Sequence, residues 1–163
     1  MLRPAIAYKE EIQKQMALRY YTTEMRFYLG WGGSTNIHIA DECEPGFYQY
    51  ASVDKDGKLE GYIAFQVDRY ERQAYQFGLI SFKAGMNLTL AKDLRDVLDD
   101  LINVQKLHRI EWHAVGGNPV CKAYDRFCKK YKGNKYVLHD SWRDAKGEFH
   151  DSYIYEILPN SIR

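Results

Sequence analysis

The sequence predicts an α/β fold of the α+β kind, a single domain over residues 1–163 in which helices flank one mixed sheet. Three observations carry this. Three β-rich runs separated by short polar turns precede residue 83, which gives the sheet an antiparallel front. A run with helical period then lies between two strand-like runs, so those strands form a central parallel pair joined by a right-handed crossover. A second pair of strand-like runs closes the chain.

Taken in order, Ile6 to Tyr28 places Ile12, Met16, Leu18, Tyr20 or Tyr21, Met25 and Tyr28 or Leu29 at helical spacing, as one long helix or two short ones broken near Thr22 and Thr23. Gly30 to Asn36 (GWGGSTN) reads as a loop. The residues from Ile37 to Pro45 show no clear period. Phe47–Val53 and Leu59–Arg69 form a hairpin about the turn Asp54-Lys55-Asp56-Gly57, and Ala74–Phe82 adds a third strand after the polar turn Tyr70 to Gln73.

From Asn87 the period changes to that of a helix. Leu90 or Ala91, Leu94, Val97 or Leu98, Leu101 and Ile102 make its apolar stripe, with Asp93, Arg95, Asp96 and Asp99 off it. Asn87 or Thr89 suits its N-cap, and the helix ends near Gln105. Leu107–Val115 returns to strand, followed by a Gly-Gly turn and a helix over 118–131 opened by Asn118 and Pro119. Its first backbone N–H groups have no partner within the helix, so such a unit can hold an anion. Tyr136–Arg143 and Ser152–Leu158 then make a second hairpin about Asp144 to Gly147.

Composition excludes more than it assigns. A net charge of +1 drives the protein toward neither nucleic acid nor membrane, and no apolar run is long enough for a signal peptide or membrane span. The three cysteines, Cys43, Cys121 and Cys128, lack the spacing of a disulfide framework, and the scattered histidines show no metal-ligand spacing. A reduced, cytoplasmic protein without metal is the expectation. Cys121 and Cys128, seven apart, share the buried side of their helix. Lys122, Arg126, Lys129, Lys130, Lys132 and Lys135 stand against a single Asp125 between 122 and 135. They read either as a solvated face with cations at a helix C-terminus or as a phosphate-facing patch.

Arg109, Glu111 and His113 occupy i, i+2 and i+4 of a strand and so share one face. Glu111 and His113 side by side could take a proton directly or through water. They could equally be a structural pair with Arg109 and a satisfied polar residue at the sheet end.

Element order and particular residues together resemble the GNAT superfamily of N-acetyltransferases. Leu107-His108-Arg109-Ile110-Glu111 is similar to that family's fifth strand, notably in the branch that acetylates protein N-termini. Asn118-Pro119 followed by Tyr124 resembles its strand-to-helix unit. Lys146-Gly147-Glu148-Phe149-His150-Asp151 is similar to a late hairpin, Tyr153 to Leu158 to the final strand, and Leu2-Arg3-Pro4-Ala5 to the first. The likeness covers most of the chain from about Leu59 onward.

The resemblance implies transfer of an acetyl group from acetyl-CoA to an amine, on a small molecule or a protein N-terminus, by direct attack on the thioester. It implies a base (Glu111 or His113), an acid for the departing thiolate (Tyr124), and an oxyanion donor on the fourth strand near Ile80, Ser81 and Phe82. It further implies cofactor contacts from Asn118 to the pantetheine arm, from Asn87, Thr89 or Lys92 to the pyrophosphate, and from the basic helix carrying Lys122 to the 3′-phosphate.

Two departures stand out. The family's Q/R-x-x-G-x-G/A loop, whose glycine amides cradle pyrophosphate, is here Lys83-Ala84-Gly85-Met86-Asn87-Leu88-Thr89-Leu90, with one glycine. Tyr124 follows Asn118 by six residues where the family has seven, and Asp125 takes the usual position. The alternative is therefore a catalytically inactive GNAT-like domain that binds a protein or nucleic acid. Oligomeric state stays open, with a homodimer among the options.

Overall fold

The structure, a computed structural model, describes residues 1–20, 37–41, 44–144 and 146–160. The expected continuation of the first helix past residue 20, the loop at 30–36 and Cys43 lie outside the described residues. Seven strands form one sheet in the order β1-β2-β3-β4-β5-β7-β6. They are β1 (Leu2–Pro4), β2 (Phe47–Val53), β3 (Leu59–Asp68), β4 (Gln73–Ser81), β5 (Arg109–Val115), β6 (Asn134–Arg143) and β7 (Phe149–Ile157). The helices are α1 (Lys9–Tyr20), preceded by a 3-10 turn at Ala5–Tyr8, α2 (Leu88–Asp99), and α3 (Cys121–Lys130). β1 to β4 are antiparallel neighbours, β4 and β5 are parallel, and β7 lies between β5 and β6, antiparallel to both. The mixed sheet with its parallel centre is the architecture that the sequence predicts.

Strand alternation divides the core in two. On one face Ile63, Phe65, Val67, Ile110, Trp112, Tyr155 and Ile157 pack with Leu90, Val97 and Leu101 of the α2 segment and Cys121 and Cys128 of α3. On the other, Ala51, Tyr62, Ala64 and Ile80 pack with Ile12 and Met16 of α1 and with Ile37 and Ile39. Ile12 and Met16 stand one helical turn apart with no exposed area, each contributing about 2 kcal/mol of burial to the docking of α1. Leu18, placed by the sequence on the same stripe, is instead 63% exposed, because two residues beyond Met16 is about 200° around the helix.

The α2 stripe holds, with one correction. Asp93, expected on the outer side, is 1% exposed. It follows Leu90 by three residues and therefore shares its face. Its carboxylate accepts hydrogen bonds from Ser52 Oγ (2.7 Å) and the Met1 amino group (2.9 Å), so the buried charge is paired. Past Asp99 the helix widens into one turn over Asp100–Val104, closed by Gln105 N–H donating to Asp100 O at 2.9 Å. α3 begins at Cys121, later than the sequence suggests. Residues 118–120 form a turn in which Asn118 Oδ1 accepts from Val120 N at 3.0 Å, so Asn118 closes the turn before the helix.

Candidate functional site

β4 and β5 pair at only two positions, Gln73 with Arg109 and Ala74 with Ile110. The cause lies just downstream. β3 and β4 are in register at Gln66 with Tyr75 and again at Ala64 with Gly78, so Gln76 and Phe77 together face Phe65. Gln76 takes φ +54. This extra residue is a β-bulge, which bends and twists its strand. Beyond it β4 continues along β3 while β5 continues along β7, and a wedge opens between them.

The register decides which backbone groups face that wedge. Phe82 N–H donates to Glu60 O at 2.9 Å, and Ile80, aligned with Tyr62, lies in the same phase. Hydrogen-bonding direction alternates along a strand, so the N–H groups of Leu79 and Ser81 point to the side that β5 has left. Ile80 and Phe82, singled out from the sequence, are buried beside these donors. Leu79 was missed. Its signal is the phase of strand pairing, which a sequence does not carry.

On the opposite wall β5 turns Arg109, Glu111 and His113 toward the α1 side of the sheet, and Trp112 toward α3. Arg109 Nη2 donates to Glu111 Oε2 at 2.5 Å, and its Nε donates to Glu156 Oε2 on β7 at 3.1 Å. Glu111 Oε1 lies 3.2 Å from His113 Nε2. Glu156 also accepts from Asn134 Nδ2 (2.8 Å) and from the Tyr136 hydroxyl (2.9 Å). Burial works to raise the Glu156 pKa, but those two hydrogen bonds and the Arg109 charge outweigh it and hold the carboxyl below its ordinary value. The structure thus joins Glu111 and His113 and makes Arg109 a structural partner of Glu111.

Tyr124 lies across the sheet from them. Its ring meets Trp112 and Tyr155 edge-on, with centroids 5.8 and 5.7 Å away. Asp125, in the place the family usually gives to tyrosine, accepts from the Tyr155 hydroxyl at 3.0 Å and from Lys135 at 2.9 Å. Asn118, half-buried, stands just past the end of β5, and its Oδ1 serves the turn. Lys122 is exposed on α3.

At α2, Asn87 is the N-cap. Its Oδ1 accepts from Leu90 N at 3.0 Å, and its Nδ2 donates to Glu60 O (2.8 Å) and Ser81 Oγ (3.0 Å). Both ends of the amide are thereby engaged. Leu88 and Thr89 open the helix, where backbone N–H groups point outward. Gly85 has φ +73, and a Cβ there would meet open space. Lys83 lies 3.3 Å from the buried carboxylate of Glu60. Met86 and Leu88 are 80% and 69% exposed.

Asp144, Glu148 and His150 bring ligand atoms within 4.8 Å of one another. Asp144 there accepts from Lys146 N (2.8 Å) and Glu148 N (3.0 Å) and pairs with His150 at 2.9 Å, so it organises the β6–β7 turn. Cys121 and Cys128 are free and buried. Among the described residues no helix is long and apolar enough to cross a membrane.

No protein-family model matches the chain, and no curated protein sequence does. Solved structures do. A point variant of spermidine N-acetyltransferase SpeG from Vibrio cholerae superposes with a TM-score of 0.66 at 19% identity, over 98% of this chain and 95% of that one. A protein from T. thermophilus described as an acetyltransferase gives 0.61 at 19% identity, over 97% and 85%. The dodecameric form of the Vibrio cholerae spermidine enzyme gives 0.54 at 19% identity, over 70% and 66%. The fold is that of the GNAT N-acetyltransferases.

Proposed function

We propose that this chain, acting as one domain, is an acyl-CoA-dependent N-acetyltransferase that moves an acetyl group onto an amine of a small molecule or a protein N-terminus. The observation that carries this is the break in pairing, where a parallel pair ends after two residue pairs and the Leu79 and Ser81 N–H groups turn to the side on which β5 no longer pairs. An extended acyl carrier can complete the interrupted ladder there. On this reading either N–H stabilises the oxyanion as the amine attacks the thioester carbonyl. The new bond is C–N and the broken bond is C–S. One ammonium proton passes to Glu111 or His113 before attack and is released to water; the second leaves the nitrogen once the C–N bond has formed and replaces the proton that Tyr124 gives to the thiolate.

The residues present fit acetyl-CoA. Leu88 and Thr89 amides with Lys83 would hold the pyrophosphate, Asn118 the pantetheine arm, and Lys122 the 3′-phosphate; bound acetyl-CoA would supply the activated acyl carbon. The likeness to spermidine acetyltransferases supports an amine acceptor, and the free buried thiols of Cys121 and Cys128 support a cytoplasmic setting.

Titration calorimetry with acetyl-CoA, followed by thiol-release assays on spermidine and on free peptide N-termini, tests the proposal. Heat of binding and release of CoA thiol with an amine are expected. A folded protein that gives no heat at millimolar acetyl-CoA ends it. One observation favours the second reading, a non-catalytic binding domain: exposed Met86 and Leu88 flank the helix start where a phosphate would approach. That reading predicts no acetyl-CoA heat.

A further inference from the structure

The sheet has two edges, and only one is guarded. β1 is three residues long and carries Arg3 and Pro4, which discourage a further strand. β6 is ten residues long, exposed along its whole length except at Trp142, and contains no proline. Its one lysine does not guard it, because Lys135 bends back to Asp125 (2.9 Å) and lies over the Tyr153 ring at 4.0 Å. Asn134 and Tyr136 are likewise drawn inward to Glu156. Even so, three consecutive residues, Tyr136, Val137 and Leu138, leave large hydrophobic side chains 49%, 40% and 47% exposed.

We propose that β6 pairs antiparallel with β6 of a second copy of this chain, on a two-fold axis through Val137. The strand's own pattern selects this occupant and this register. Opposed residues of an antiparallel pair lie on the same face, so the axis must pass through a residue. The register with β7 slips between Leu138 and Trp142, with Asp140 at φ +49, which confines the regular edge to 134–138. An axis at Tyr136 opposes Val137 to Lys135, and one at Leu138 opposes Val137 to His139. An axis at Val137 matches the apolar trio with itself. Val137 meets Val137, and Tyr136 meets Leu138 twice. Lys135 then opposes His139 and not its own copy. The outward backbone groups of β6 gain partners, and the two sheets become continuous. Tyr136 carries the contact inward, since its hydroxyl holds Glu156, which holds Arg109 and through it Glu111.

Sedimentation velocity on the full chain tests this, using the wild type, Val137→Lys, Val137→Glu, and an equal mixture of the two variants. The wild type is expected to sediment as a dimer. Each variant alone sets like charges against each other on the axis and should sediment as a monomer; the mixture should recover the dimer, because Lys then meets Glu. A wild type that stays monomeric at high micromolar concentration overturns the proposal. So do variants that remain dimeric, which would place the contact elsewhere, and a mixture that remains monomeric, which would remove the axis from Val137.

Discussion

Arg109 holds Glu111 from the same strand, two positions away, at 2.5 Å. Residues so spaced share a face, and the guanidinium folds back along it while its Nε reaches β7. The Glu111 carboxylate is therefore fixed in orientation, with its second oxygen turned to His113.

Glu111→Gln keeps the side chain's shape and removes its basicity. Acetyl transfer is expected to fall by about 100-fold or more in kcat, with a smaller change in acetyl-CoA affinity. Steady-state kinetics and calorimetry on the same variant check this. Equal losses in both would assign Glu111 to binding. A kcat unchanged in Glu111→Gln and in His113→Ala would remove both residues from proton transfer.

Stability should fall in acid through Glu156. Its folded pKa lies below the ordinary 4.5, so the unfolded chain takes up the proton first as pH drops. The contribution is thus fully present above the unfolded value and drains away as pH falls through the folded one. Urea denaturation of the wild type at a series of pH values from about 6 downward should show this decline. Glu156→Gln should be less stable at neutral pH and should decline less steeply; an equally steep profile would assign the acid sensitivity to other carboxylates.

Proline separates the two phases of β4. At Ser81 it removes an N–H that faces the wedge, and the fold should survive with a loss of roughly 1–2 kcal/mol, mainly from the Asn87 contact with Ser81 Oγ. Acetyl transfer should drop about 100-fold if that N–H polarises the carbonyl. At Phe82 proline breaks the bond to Glu60 O and opens a buried position, so thermal unfolding should show a loss of about 3 kcal/mol or more. The reverse order of stabilities would put the phase of the strand the other way round.

How much was legible can be read residue by residue. Hairpins, helices and the parallel centre follow from periodicity and turn residues, as at Asp54-Lys55-Asp56-Gly57, because those are local properties. Glu111 and His113 were visible as neighbours because strand alternation is also local. Asp93 shares the face of Leu90 by spacing alone, but a charge is kept there only by Ser52 and the Met1 amino group, partners from distant parts of the chain that a local pattern does not reveal. Leu79 was invisible because the direction of its N–H depends on how β4 registers with β3. Asn87 suited the cap from sequence, but the capture of its amide by Glu60 and Ser81 is a tertiary fact.

The bulge at Gln76 makes the wedge a matter of arithmetic as much as of shape. One residue too many separates two correctly registered halves of β4, so the chain behaves there like text with a single inserted letter. Deleting Gln76 would take out the inserted letter and bring the halves into step: Tyr75, Phe77 and Gly78 would oppose Gln66, Phe65 and Ala64 in one unbroken ladder. The bend that parts β4 from β5 would go with it, and Leu79 and Ser81 would keep their orientation while losing the gap they face. Such chains can therefore exchange Gln76 only for residues that tolerate positive φ, and cannot spare the position itself.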